Sequence, residues 1–193
     1  MAGPIHYEDL VQYALALDPF VGLALRTFAP TMLNPARAGV RLLDESVGET
    51  ARVYEILDMP FYLAENVETL GTKVAVAVEM ARRDRSNRGK YFRGIGQDTA
   101  NTSLNDLVSV GAQPFSYSPI ICLGDNEFLK DRVVVEALLH GYLKAANDAQ
   151  AVIAGGETGT LRGIVLPGQA DLSGGSLGII SPRERFCHGG RVE

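Results

Sequence analysis

The stretch GIGQDTANTSLNDLVSVGAQP, from Gly94 to Pro114, constrains the fold of this 193-residue chain more than any other part of it. Ala100, Leu104, Leu107, Val108 and Gly111 recur at steps of three and four, the spacing of a helix that turns one face to a core. Asp98, Asn101, Thr102, Asn105 and Asp106 fall on the opposite side within about two turns. No Lys or Arg lies between Gln97 and Pro114, so the two carboxylates are expected to converge without a counter-ion of their own. On spacing alone two readings stay open. One is a solvated polar face with Asp98 as a helix cap. The other is an oxygen-rich face for a hard cation such as Mg²⁺, which takes carboxylate oxygens and usually arrives with phosphates.

The flanking sequence supplies alternating helices and strands. Leu10, Tyr13, Ala14, Leu17, Val21, Leu25 and Phe28 give helical spacing over Tyr7 to Phe28, with Pro19 expected to break or kink it. Residues 29–60 read as an irregular lead-in with one strand among short apolar pieces, Val40 to Leu43 and Val53 to Leu57. FYLAENV, residues 61–67, reads as a strand, ETLGTK as a turn, and VAVAVEMARR as a helix ending in Arg82 and Arg83. Residues 84–94, DRSNRGKYFRG, read as a polar, basic, solvated connector. Phe115 to Leu123 is rich in β-formers, and a long helix follows, capped by Asp125 or Asn126, with Val134, Ala137, Leu138, Gly141, Tyr142 and Ala145 as its apolar stripe. Ala151 to Ala154 is expected as a short strand, 159–169 as a loop, and Asp171 to Ile180 as a strand whose glycines signal close backbone approach. This order implies one layered α/β (α+β) domain, with a mixed sheet.

Composition narrows the function. A formal net charge of −5 does not favour nucleic acid as a partner, and no apolar run approaches the ~18 residues of a membrane span. The opening MAGPIHYEDL lacks the pattern of a signal peptide, so a cytoplasmic location is expected. Cys122 and Cys187 are too few and too far apart to imply a disulfide framework or a zinc site. His6, His140 and His188 form no cluster, and Tyr91, Phe92, Phe115 and Tyr117 read as core or subunit interface.

Four motifs in order, ETLGTK, GIGQDTANTSLNDLVSVGAQP, VIAGGETG and ADLSGGSLGII, resemble the N-terminal, ATP-binding half of the aminoimidazole ribonucleotide synthetase (phosphoribosylformylglycinamidine cyclo-ligase) family. The resemblance covers about residues 61–193, with residues 1–60 as a lead-in. It implies helices on one face of the sheet, sheets pairing across a homodimer, ATP and Mg²⁺ as cofactors, and a ribonucleotide as the small-molecule substrate. It also implies roles. Gly71, Thr72, Lys73, Asn105, Gly155, Gly156 and Glu157 would bind nucleotide, Glu68, Asp98, Asp106 and Glu157 would hold metal, and Lys73 and Asp98 would serve catalysis. Glu68 stands where the family has Asp, and Thr69 where it has Gly, a change expected to be costly if positive φ is required there. A plain reading stands beside each assignment: Gly71, Gly155 and Gly156 as turn glycines, Lys73 and Glu157 as solvated charges. The resemblance further implies a C-terminal domain that this chain lacks. Other readings are a nucleotide-binding module without turnover and a superfamily kinase or synthetase acting on another substrate.

Overall fold

The computed structural model describes residues 18–189. It is a mixed α/β architecture: six strands in the order β1-β2-β3-β6-β4-β5, and four helices. The strands are β1 (Val40–Leu42), β2 (Arg52–Ile56), β3 (Tyr62–Thr69), β4 (Gln113–Leu123), β5 (Glu157–Thr160) and β6 (Ala170–Ile180). The helices are α1 (Pro19–Phe28), α2 (Lys73–Arg83), α3 (Arg88–Ser109) and α4 (Arg132–Asp148). β1 pairs antiparallel with β2 and β2 with β3, while β4 and β5 run parallel, Ile120 opposite Glu157.

Pro19 does break the amino-terminal pattern. It opens α1 at a position that needs no N–H donor, and Asp18 accepts from Phe20 N at 3.0 Å and Val21 N at 3.2 Å. The rest of that pattern, Tyr7 to Leu17, lies outside the described residues. Two strands, β1 and β2, form where one was expected.

Contacts divide the chain into two compact units. One comprises residues 18–65, 107–113 and 178–189 of the described chain. Its core gathers Leu43, Val53, Ala64, Leu107, Val110, Ile180 and Phe186. Arg183 stacks over Tyr62 at 4.8 Å and reaches Glu55 at 2.7 Å, and Tyr62 meets Phe186 edge to face.

The other unit comprises residues 66–106 and 114–177. Val74, Ala77 and Val78 of α2, Phe92, Ala100 and Leu104 of α3, and Val134, Leu138, Tyr142 and Ala145 of α4 share one core with Tyr117, Leu123 and Leu172 of the strands. Burying each large apolar side chain there contributes about 1.5–3 kcal/mol. α3 and α4 approach backbone to backbone: a Cβ on Gly96 would collide with the Leu138 carbonyl, and one on Gly141 with the Arg93 carbonyl.

Four expectations are corrected here. α3 starts at Arg88, so the supposed solvated connector is partly helix; Phe92 is 3% exposed and packs on Phe128 with centroids 5.5 Å apart. Val108 points to solvent at 58% exposure, and Gly111 lies beyond the helix end. Asp131, not Asp125 or Asn126, caps α4, accepting from Val134 N at 3.3 Å, while Asp125 binds the amides of Glu127 and Gly168. Ala151 to Ala154 makes only an isolated bridge, Val152 to Ser116, and β5 begins instead at Glu157.

Candidate functional site

The site starts from the alternation of β3. Ala64 and Asn66 are buried and Glu68 is half-buried, while Glu65, Val67 and Thr69 are exposed, so Ala64, Asn66 and Glu68 share the inward face. Two residues past the strand, Gly71 takes φ +68°, a left-handed conformation that glycine adopts cheaply, and the chain enters α2 at Lys73. Thr72 provides no side-chain cap there. Ala75 N donates to the Thr72 carbonyl at 3.0 Å, which leaves the amides of Lys73 and Val74 with hydrogen-bonding capacity at the positive end of the helix dipole. Thr69 lies within β3 in extended backbone, so the expected backbone cost of replacing glycine does not arise.

Lys73 Nζ donates to Asp98 Oδ2 at 3.0 Å, with both side chains more than half exposed. Asp98 is thus not without a counter-ion, as the sequence of α3 suggested; α2 supplies one. Nor does Asp98 cap a helix, since it lies in the third turn of α3.

Further along α3, Asp106 Oδ2 accepts from Asn66 Nδ2 at 3.0 Å, and Asn66 is 6% exposed. Burial pushes the Asp106 carboxyl above its ordinary range, and the Asn66 hydrogen bond only partly opposes this. Behind it, the Ser103 and Ser176 hydroxyls meet at 2.5 Å, and Ser103 reaches the Asn66 carbonyl at 3.4 Å, joining α3, β6 and β3 through buried polar contacts. Asn105 is exposed on the same helix.

The sequence-predicted residues therefore fall into three places. Gly71, Thr72 and Lys73 meet Asp98; Glu68, Asn105 and Asp106 follow β3 and α3; Gly155, Gly156 and Glu157 sit at β5, on the edge of the sheet. With β6 and β4 between β3 and β5, strand spacing alone separates Glu157 from Glu68 by about 14 Å. Gly156 has a packing duty of its own, since a Cβ there would lie 2.6 Å from the Pro119 carbonyl oxygen.

Asp98 and Asp106 are eight positions apart on α3, about 12 Å along its axis. One ion with oxygen ligands at about 2.0–2.1 Å cannot span that distance. Among the described residues no three His, Cys, Asp or Glu side chains gather closely enough to hold a metal. The donors are nonetheless carboxylate oxygens, the type Mg²⁺ prefers when phosphates complete its shell. They fit Mg²⁺ carried by a polyphosphate, not a closed protein cage.

Sequence reasoning missed Asn66, Ser103, Ser176 and Asp171. The signal for Asn66 was a polar residue at an inward position of a strand; Asp171 Oδ1 accepts a long contact, 3.5 Å, from Thr69 Oγ1. His140 is exposed, with Nδ1 at 2.7 Å from the Glu136 carbonyl oxygen, and takes no part. No described helix is long and apolar enough to cross a membrane.

Comparison with known proteins agrees with this frame. The chain is 31% identical over 130 residues to phosphoribosylformylglycinamidine cyclo-ligase of Symbiobacterium thermophilum, covering 67% of this chain and 33% of that protein. It is 33% identical over 138 residues to the cyclo-ligase of Methanosarcina mazei, covering 71% and 37%. It thus spans about a third of the length of these curated relatives. Over 173 residues it is 28% identical to the human trifunctional purine biosynthetic protein adenosine-3, covering 88% of this chain and 16% of that one. In fold it resembles AaThiL complexed with AMPPCP and TMP, with a TM-score of 0.53 and 14% identity over 69% of this chain and 36% of that one. Residues 48–180 match the model of the AIR synthase related protein, N-terminal domain, and the chain belongs to that family.

Proposed function

We propose that this chain is the ATP-binding part of a purine-pathway cyclo-ligase, and that it holds the phosphates of Mg-ATP at the start of α2. The observation that carries this reading is the turn at Gly71, opening into an α2 N-terminus without a side-chain cap, where Lys73 stands 3.0 Å from Asp98. Helix N-termini bind phosphate through free amides and the dipole together. Lys73 offsets phosphate charge once it turns from Asp98, and Asp98 is then released toward a cation. Asp106 and Glu68 would hold further Mg²⁺ on the phosphates along the same face, and Asn66 holds Asp106 in orientation.

Mg²⁺, when bound, neutralises phosphate oxygens in a transfer that depends mainly on positioning and charge. In the cyclo-ligase reaction the γ-phosphoryl of ATP passes to the amide oxygen of formylglycinamidine ribonucleotide. The nitrogen that completes the ring then attacks that carbon, and phosphate leaves, yielding aminoimidazole ribonucleotide and ADP. The matched segment covers about a third of each relative, so acceptor binding is proposed to need a further domain, and nucleotide binding alone is assigned to these residues.

Pairing of two copies through the uncovered sheet face is part of the same proposal. Val67 on β3 exposes 63% of its surface there, on the side of the strand away from the buried Ala64 and Asn66.

The test is thermal unfolding with and without Mg-ATP. Ligand at 100 times its Kd stabilises by about 2.7 kcal/mol, a readily measured rise in Tm. Asp98→Asn is expected to remove most of that rise while leaving the ligand-free Tm near wild type, since an exposed ion pair contributes about 1 kcal/mol or less. An undiminished rise in the variant overturns the assignment.

A further inference from the structure

The basic segment 82–93 leaves a cluster of charge that the nucleotide site does not use. Arg82 at the end of α2, Arg85 in the following turn and Arg88 at the start of α3 line a cleft of about 350 Å³ with Phe92, Phe128 and Asp131. Phe92 and Phe128 meet edge to face at 5.5 Å and form its apolar floor. Asp131 takes Arg88 in a two-pronged pair, at 2.7 and 3.3 Å. Neither Arg82 nor Arg85 forms an ion pair among the described residues.

Asp84, which sits between them in sequence, is engaged elsewhere. It accepts from Ser86, from Asn87 and, at 3.1 Å, from the Tyr91 hydroxyl, bonds that hold its carboxyl below the ordinary range. Three guanidinium groups against one carboxylate leave two positive charges unmatched, close to the charge of an ionised phosphomonoester at neutral pH. Arginine forks suit phosphate oxygens, and the positive ends of α3 and α4 both open at this cleft. Arg82 also suits a helix C-terminus on its own, but Arg85 lies past α2 and gains nothing from that dipole.

We infer that this cleft binds a small phosphomonoester with a ring or other compact apolar body, the phosphate on Arg82 and Arg85 and the body on Phe92 and Phe128. Its volume is at the small end of ligand pockets, and the chain's net charge of −5 disfavours nucleic acid as the source of the phosphate. The site is separate from the start of α2. Arg82 is nine positions from Lys73 and Arg88 ten from Asp98, about 13 and 15 Å along their helices. The inference does not rest on the ATP reading.

Isothermal titration with phenyl phosphate, inorganic phosphate and phenol tests it. Phenyl phosphate is expected to bind wild type and Asp98→Asn alike, more tightly than inorganic phosphate, with no heat from phenol. The Arg82→Ala/Arg85→Ala double variant should bind phenyl phosphate at least about tenfold more weakly, as the loss of charge-assisted hydrogen bonds predicts. Its Tm should match wild type, because both arginines are exposed. No binding of phenyl phosphate, undiminished binding by the double variant, or loss of binding in Asp98→Asn overturns the inference. Equal affinity for inorganic phosphate overturns the role given to the phenylalanines.

Discussion

At the start of α2, Lys73 faces Asp98 across 3.0 Å, whereas near its end Arg82 and Arg85 form no ion pair among the described residues. α3 shows the same contrast in reverse, with Arg88 and the cleft at its beginning and the acids Asp98 and Asp106 further along. A matched, exposed pair is worth about 1 kcal/mol or less, little for the proposed phosphate and cation to displace. Unmatched guanidinium groups over an apolar floor repel one another and stabilise nothing by themselves. The one end is balanced as it stands; the other, on our proposal, is balanced by its ligand.

The largest expected effect comes from the contact that holds the helices carrying both ends. Gly141→Leu would drive a side chain into the Arg93 carbonyl and push α4 off α3. A loss of about 3 kcal/mol or more is expected in denaturant unfolding, even though leucine is the better helix former. Binding of Mg-ATP and of phenyl phosphate should weaken together. A variant in which only one responds would show that the two ends do not share a frame.

Asp131→Asn sharpens the contrast with a smaller effect. Asn caps a helix as well as Asp, so α4 keeps its start while Arg88 loses its partner. Phenyl phosphate should bind severalfold more tightly, and weaker binding would show that Asp131 instead holds Arg88 in place for the ligand. Arg88 keeps the Asp131 carboxyl below its ordinary value. The stability from this pair is therefore fully present above the usual carboxylate range and is lost as pH falls through the depressed value. The variant should lack that acid-side loss in Tm measured against pH.

The smallest effect concerns the frame itself. Tyr142 stacks on Tyr117 at 6.0 Å, and burial pushes its hydroxyl up to about 12, above the ordinary phenol range. The folded chain favours the neutral phenol, so its contribution is complete below about pH 10 and lost as pH rises toward about 12. Tyr142→Phe should unfold less steeply than wild type across that window and resemble it at pH 7. An unchanged alkaline limb would place the sensitivity elsewhere.

Much of the strand and helix pattern was legible beforehand. The strand at FYLAENV, the turn at Gly71, the helix ending at Arg82 and Arg83, the stripe on α4 and the long strand β6 all follow from short-range periodicity and turn chemistry. The start of α3 was not legible, because Arg88, Lys90 and Arg93 gave residues 84–94 the composition of a solvated loop, while Phe92 and, in part, Tyr91 turned inward. The cap of α4 was misplaced for a related reason: Asp125, Asn126 and Asp131 are all suitable caps, and only the fold reveals which one precedes the first turn.

By itself the sequence determined that Asn66 lies on a strand, that a glycine turn delivers Lys73 to the start of a helix, and that Asp98 and Asp106 ride one helix. These are relations between near neighbours, fixed by the periods of strand and helix. Tertiary structure alone decided that Lys73 meets Asp98 across 25 positions and Asn66 meets Asp106 across 40, and that Arg82, Arg85 and Arg88 line one cleft. Helix packing on buried apolar faces makes those choices. An exposed charge pair, worth about 1 kcal/mol or less, is too weak to direct them and so leaves no pattern along the chain.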